Sequence, residues 1–218
     1  MKKIENMAEK KLILIGGGGH CRSVIDVIEA SGREILGIIE QPQFEPDNVL
    51  GYPVLGSNDV ISRYVDEAEF VITVGQIKSA AVRQHLVDEV VKAGGRFAII
   101  ISPLAHVSHY ASIGEGTVVM HNVVVNAGAK VGSQCILNTR CTIEHDTVVG
   151  DFCHISTHAV INGGSSIGDR VFIGSNTVVA QVLSITSDVV VGAGGVVCQN
   201  IENSGIYCGV PAKLKQKK

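Results

Sequence analysis

The sequence predicts an N-terminal α/β domain followed by an all-β parallel β-helix. Three observations carry this expectation. An aliphatic residue recurs at every sixth position from Val107 to Val197, a strand–glycine–helix pattern opens the chain, and the composition suits a repetitive aliphatic core. The 218 residues are 45% hydrophobic but only 4% aromatic, with no Trp and 25 Gly. Any core must therefore be built from Val, Ile, Ala and Leu, and the length suits two small domains.

In the first part, Lys11 to Ile15 reads as a buried strand. Gly16-Gly17-Gly18-Gly19 follows, then the helical pattern Val24, Ile25, Val27, Ile28. Further strands fit Glu34 to Ile39 and Glu69 to Val74. Lys78 to Ala93 fits a helix with Val82, Leu86 and Val90 inward and Gly94-Gly95 as its stop. Alternating strands and helices imply a parallel sheet, hence a Rossmann-like βαβ domain over residues 1–103.

After Pro103 the period becomes six. All sixteen hexad positions (Val107, Ile113, Val119, and so on through Val191 and Val197) are Val, Ile or Leu, and a small or β-branched residue usually sits four places later. Six residues supply one short strand and one corner. Three hexads close a triangular coil of 18 residues, and sixteen make just over five coils, which assigns residues 104–218 to a β-helix. Residues two places beyond each aliphatic position should point outward, among them His109, His121 and His145.

Several function classes are disfavoured. The net charge is −3, and the one basic cluster is the tail Lys213, Lys215, Lys217, Lys218, too short for a nucleic-acid footprint. The longest apolar run, Phe97 to Ile101, is far below a membrane span, and no signal-peptide pattern opens the chain, so a cytoplasmic protein with no membrane partner is expected. Cys21, Cys135, Cys141, Cys153, Cys198 and Cys208 show no CxxC spacing. They read as small buried apolar residues, with no disulfide and no metal.

Three stretches carry a resemblance to a known family. They are Leu14-Ile15-Gly16-Gly17-Gly18-Gly19-His20, the central Asn138-Thr139-Arg140-Cys141-Thr142-Ile143-Glu144-His145-Asp146, and the closing Gly209-Val210-Pro211-Ala212-Lys213. With the uninterrupted hexads they resemble the bacterial sialic-acid O-acetyltransferases and the nucleotide-amino-sugar N-acetyltransferases. The resemblance implies a left-handed β-helix, a homotrimer, acetyl-CoA in the groove between neighbouring β-helices, and the sugar near the N-terminal domain.

Acetyl transfer needs a base with a pKa near 7 and a donor for the developing oxyanion. The resemblance implies His145 as the base, with Asp146 holding its tautomer and Glu144 as the competing carboxylate. A glycine lets a backbone N–H approach a ligand closely, and Gly163 in the Asn162-Gly163-Gly164 corner is the expected oxyanion donor. The resemblance further implies His154, Gly163, Gly164 and Lys213 on the acetyl-CoA side. It implies Gly18, Gly19, His20, Glu40 and Asn138 on the sugar side, with phosphate against a helix N-terminus. Glu40 is followed by Gln41-Pro42 where the family tends to carry aspartates, so a dinucleotide fingerprint is weak here. The activity implied is N-acetylation of the 4-amino group of a nucleotide-linked deoxyhexose for surface glycan synthesis. The alternatives are O-acetylation of sialic acid or its CMP-activated form, and a non-catalytic scaffold.

Overall fold

The computed structural model describes residues 10–41 and 48–217. Pro42 and Lys218, both noted in the sequence, lie outside the described residues.

The N-terminal part runs β1 (Lys11–Ile15), α1 (Gly19–Ser31), β2 (Ile35–Ile39), β3 (Asn48–Val49), β4 (Tyr52–Gly56), a 3₁₀ turn (Asn58–Arg63), β5 (Ala68–Ile72) and α2 (Ala81–Lys92). The strand order is β3-β4-β2-β1-β5, parallel except for the β3–β4 hairpin. Connections from β1 run to one side, and β5 lies on the other. A crevice therefore opens at the C-terminal ends of β1 and β5, where ligands bind in open α/β sheets. Gly16 makes that junction possible. Its φ is +104°, and a Cβ there would lie 2.5 Å from the Val74 side chain.

The structure corrects the expected inward face of α2. Val82 is exposed, and Arg83 is fully buried in its place with Leu86 and Val90. The guanidinium donates from Nη1 to the carbonyls of Ile72 (2.9 Å) and Val74 (2.7 Å), and from Nη2 to Gln134 of the β-helix (2.9 Å). Burial lowers its pKa to about 10, which leaves it charged near neutrality. A buried cation is tolerated when such acceptors surround it. β5 also ends earlier than expected, at Ile72, because the Thr73 hydroxyl donates to the carbonyls of Ile15 and Gly16 and turns the chain across the crevice.

The second part is a parallel β-helix with three faces. The first face contains Ile100–Ile101, Val118–Val119, Ile136–Leu137, His154–Ile155, Phe172–Ile173 and Val189–Val191. The second contains Val124–Val125, Thr142–Ile143 and Val160–Ile161, and the third Lys130–Val131, Val148–Val149 and Ser166–Ile167, each with further strands above and below. Strands pair at an offset of 18 residues, as in Val124↔Thr142↔Val160. The hexad positions from Val119 to Val197 are buried, while Val107 and Ile113 in the first coil are half-buried. The strand Gly205–Cys208 continues the first face, and Lys213–Lys217 returns antiparallel along it, capping the edge.

Each corner is turned by one residue in the left-handed region. These residues recur every six positions from Gly116 (φ 71°) to Gly194 (φ 66°), and most are not glycine. Of the cysteines, Cys21, Cys135, Cys141 and Cys153 are buried as expected. Cys198 is exposed and Cys208 half-buried, contrary to expectation. Cys198 sits on a corner of the last coil and Cys208 in the capping strand, where no further coil covers them. Among the described residues, no helix is long and apolar enough to cross a membrane.

Val182 is a β-branched corner residue at φ 58° and is 74% exposed. Left-handed backbone costs an ordinary L-residue about 1–2 kcal/mol, and Asn tolerates it. Val182→Asn should therefore raise stability by about 1 kcal/mol. A urea midpoint unchanged or lowered would contradict this account of the corners.

Candidate active site

His145 lies on the corner between Thr142–Ile143 and Val148–Val149. Its neighbours in the same column, one coil below and above, are Ala127 and Gly163, so neither carries a bulky side chain against the ring. A Cβ at Gly163 would lie 2.6 Å from His145 Nε2. Glycine at 163 therefore makes the room in which the imidazole sits. Asp146 is the left-handed corner residue (φ 59°), and its Oδ2 accepts from His145 Nδ1 at 2.9 Å. A Cβ at Gly128, one coil below, would run into that carboxylate. With Nδ1–H given to Asp146, the Nε2 lone pair remains open on an exposed corner.

Glu144, the competing carboxylate, accepts from Asn126 Nδ2 at 2.8 Å and makes no bond to the imidazole. Gly164 N–H donates to the His145 carbonyl (2.9 Å), whereas the Gly163 N–H has no acceptor among the described residues. The other outward histidines are placed differently. His109 stacks on Tyr110 with ring centroids 3.7 Å apart. His121 is engaged at both nitrogens, with Ser102 Oγ at 2.6 Å and Asp26 of α1 at 2.9 Å.

A second group of residues gathers where the N-terminal domain covers the first face. A cavity of about 560 Å³ is lined by Gly19, His20, Ser23, Gly75, Gln76 and Ile77 on one side and by Asn138, Thr139, His154 and Thr157 on the other. His154 is buried there. Its Nδ1 lies 2.6 Å from the Gln76 carbonyl, its Nε2 lies 3.2 Å from Asn138 Nδ2, and its ring packs edge-on against Phe172. Burial lowers its pKa to about 4, the Gln76 contact opposing and nearby Arg83 assisting. His20, in the first turn of α1, is lowered to about 3 by burial, then by Arg83 and His154, and its buried Nε2 has no partner among the described residues.

His20 also lines a larger cavity of about 650 Å³ at the crevice, with Gly18, Gly19 and Glu40. Glu40 holds the glycine turn: Oε2 accepts from Gly17 N–H (2.5 Å) and Oε1 from Gln41 N–H (2.7 Å). The α1 N-terminus has Gly18 as its cap and no side-chain capping bond, so its N–H groups face the crevice unclaimed by a carboxylate. Among the described residues, no Lys or Arg lines either cavity, and Glu40, Asp59 and Glu89 line the larger one.

The structure thus brings Gly18, Gly19, His20, Glu40, Asn138 and His154 together around two adjoining cavities. It places His145, Asp146, Gly163 and Gly164 on a different corner of the prism. Lys213 is in a third place, lining a cavity of about 360 Å³ at the last coil with Cys198, Asn200, Tyr207 and Pro211. Sequence reasoning missed Gln76 and Arg83. The first lies in a loop and the second within a helix, and neither belongs to a motif that marks an inter-domain contact.

Both buried histidines have folded pKa values below the ordinary histidine value of 6.5. The unfolded chain therefore binds more protons on acidification, and stability falls as pH drops from about 6.5 toward 4. Each histidine contributes a slope of up to about 1.4 kcal/mol per pH unit. Urea titrations of wild type and His20→Gln should show a shallower acid loss in the variant. Equal slopes would refute the assignment.

The matching family models are the PglD N-terminal domain, over residues 11–90, and the bacterial transferase hexapeptide (six repeats), over residues 146–181. Among solved structures, the chain is similar to perosamine N-acetyltransferase from Caulobacter crescentus, seen in complex with CoA and GDP-perosamine. The two share 32% identity over 94% of this chain and 96% of that one, with a TM-score of 0.88. It is likewise similar to the acetyltransferase domain of PglB from Neisseria gonorrhoeae in complex with acetyl coenzyme A, at 30% identity over 95% and 100% of the two chains and a TM-score of 0.88. No curated protein sequence matches the chain. With a PglD-type N-terminal domain, the hexapeptide coils and these relatives along nearly its whole length, the chain belongs to the hexapeptide-repeat sugar acetyltransferases.

Proposed function

We propose that the protein transfers the acetyl group of acetyl-CoA to the 4-amino group of a nucleotide-linked amino-deoxyhexose, with His145 as general base. Residues 1–103 bind the nucleotide sugar, and residues 104–218 carry the acetyl donor and the chemistry. The observation that carries the reading is the His145–Asp146 pair set against the unpaired N–H of Gly163.

The steps follow from those groups. The sugar amine attacks the thioester carbonyl, and His145 Nε2 takes the proton the nitrogen loses. Asp146 stabilises the imidazolium through Nδ1, and the Gly163 N–H donates to the oxyanion of the tetrahedral intermediate. Collapse expels the CoA thiolate, which takes its proton from the imidazolium. Lys213, at the end of the rod, meets a CoA phosphate. Gly18 and Gly19, at the α1 N-terminus, receive the nucleotide phosphates.

Three further observations support details of the reading. Among the described residues the three carboxylates lining one cavity, with no Lys or Arg in either, suit an amino sugar over a bare sugar carboxylate, while the open N–H groups of the α1 N-terminus take the phosphates. The corner bearing His145 is separate from the one bordering the cavities, so a threefold assembly in which one chain's His145 faces a neighbour's cavity completes the site. GDP-perosamine bound to the Caulobacter relative supports a nucleotide-linked substrate.

The test is release of free thiol from acetyl-CoA with a panel of UDP-, dTDP- and GDP-linked 4-amino sugars and sialic acids. Thiol release with an amino sugar is expected, whereas release with sialic acids alone would replace the reading with O-acetylation, and release with none would favour a scaffold. Light scattering should give a trimer mass, and a monomer would defeat the shared site. His145→Ala should lower kcat on the order of 10² to 10⁴ with acetyl-CoA binding retained, and Asp146→Asn should lose less. Gly163→Ala should also lower kcat, because its Cβ displaces the imidazole. A Gly163→Ala enzyme with wild-type kcat would remove Gly163 from the site.

A further inference from the structure

The Gln76 turn belongs to the N-terminal domain but is anchored to the β-helix. Gln76 is 4% exposed, and its Nε2 donates to the carbonyl of Phe152 at 2.7 Å. Its own backbone carbonyl lies 2.6 Å from His154 Nδ1. A carbonyl only accepts, so His154 Nδ1 carries a hydrogen. Burial keeps the ring neutral, which leaves Nε2 as a lone pair.

That lone pair faces the amide nitrogen of Asn138 at 3.2 Å, so Asn138 is the donor. The orientation agrees at the other end of the amide, where Asn138 Oδ1 accepts from Thr139 N–H at 2.8 Å. One amide hydrogen of Asn138 is thereby spent on His154, and the second has no partner among the described residues. Asn138, Gln76 and His154 all line the inter-domain cavity. The remaining N–H is available there as an oriented donor.

We propose that Gln76 is a positioning residue for the sugar subsite: its carbonyl fixes the tautomer of His154, and that tautomer orients the Asn138 amide to donate to an uncharged oxygen of the sugar, a hydroxyl or an amide carbonyl. The proposal rests on the acetyltransferase reading above and gives His154 no acid–base step. With no Lys or Arg in the lining of this cavity to pair with a charge, the point suits an uncharged oxygen better than an anion. Because Gln76 comes from one domain and Phe152, His154 and Asn138 from the other, the donor is set only when the two are docked.

The experiment compares His154→Gln with His154→Leu and Gln76→Ala. Gln at 154 places an acceptor, Oε1, where Nε2 stood, so Asn138 keeps its orientation although no titratable group remains. Leu leaves the Gln76 carbonyl and the Asn138 N–H unpaired, a loss of about tenfold or more for buried groups. Gln76→Ala keeps the main-chain carbonyl but removes the Nε2–Phe152 bond that holds it against His154, so it and His154→Leu should both raise KM for the amino sugar by about tenfold, with kcat changed less than about threefold and KM for acetyl-CoA unchanged. His154→Gln should recover most of that loss. If His154→Gln and His154→Leu are equally impaired in kcat, His154 handles a proton and the proposal is overturned. Nitrogen-15 spectra of the wild-type ring read the tautomer without turnover. A proton found on Nε2 and not on Nδ1 overturns the proposal even in an enzyme whose acceptor is still unidentified, while absence of turnover with every amino sugar would count against the acetyltransferase reading instead.

Discussion

One backbone constraint governs the β-helix: every sixth residue from Gly116 to Gly194 takes a left-handed conformation. That turn closes each coil at 18 residues and stacks equivalent positions into columns. Functional geometry then follows from column membership. His145 rests between Ala127 and Gly163 because they are its column neighbours, and Asp146 reaches Nδ1 because it is the corner residue itself. Asp tolerates this backbone better than most residues, so the residue that turns the chain also holds the His145 ring.

The β-helix was legible because its period is written in nearly every hexad. The central histidine and its acidic neighbour were legible only through a resemblance, since outward histidines also stand at 109 and 121. The structure separates the three by what each nitrogen touches. It also distinguishes the two carboxylates beside His145, which are adjacent in sequence but diverge in space: Glu144 leans to Asn126 and Asp146 to the ring. The hairpin of Asn48–Val49 and Tyr52–Gly56 escaped sequence reading because its turn is Leu50-Gly51, both at positive φ. A Leu at such a position hides the usual Asn-Gly or Asp-Gly signal.

The docking of the two parts was the least legible feature. On the N-terminal side its contacts come from Gln76, Arg83 and Asp26, residues that share no period or motif, and they reach Phe152, Gln134, His154 and His121 of the rod. Burial does the electrostatic work at this junction. It keeps His20 and His154 neutral, so that neither adds a second positive charge beside the buried Arg83 guanidinium. The inter-domain cavity is thus lined by neutral hydrogen-bonding groups beside a helix N-terminus, and the His145–Asp146 pair stands apart on an exposed corner.

Arg83 reaches the rod through the main-chain oxygen of Gln134, and Gln76 through that of Phe152. Neither contact reads the identity of the side chain at the position it grips. Substitutions at 134 and 152 that preserve the coil would leave these two bonds intact, whereas at 121 and 154 the rod meets Asp26 and the Gln76 carbonyl through imidazole side chains, so the joint tolerates change at the first two positions and fixes the residue at the other two.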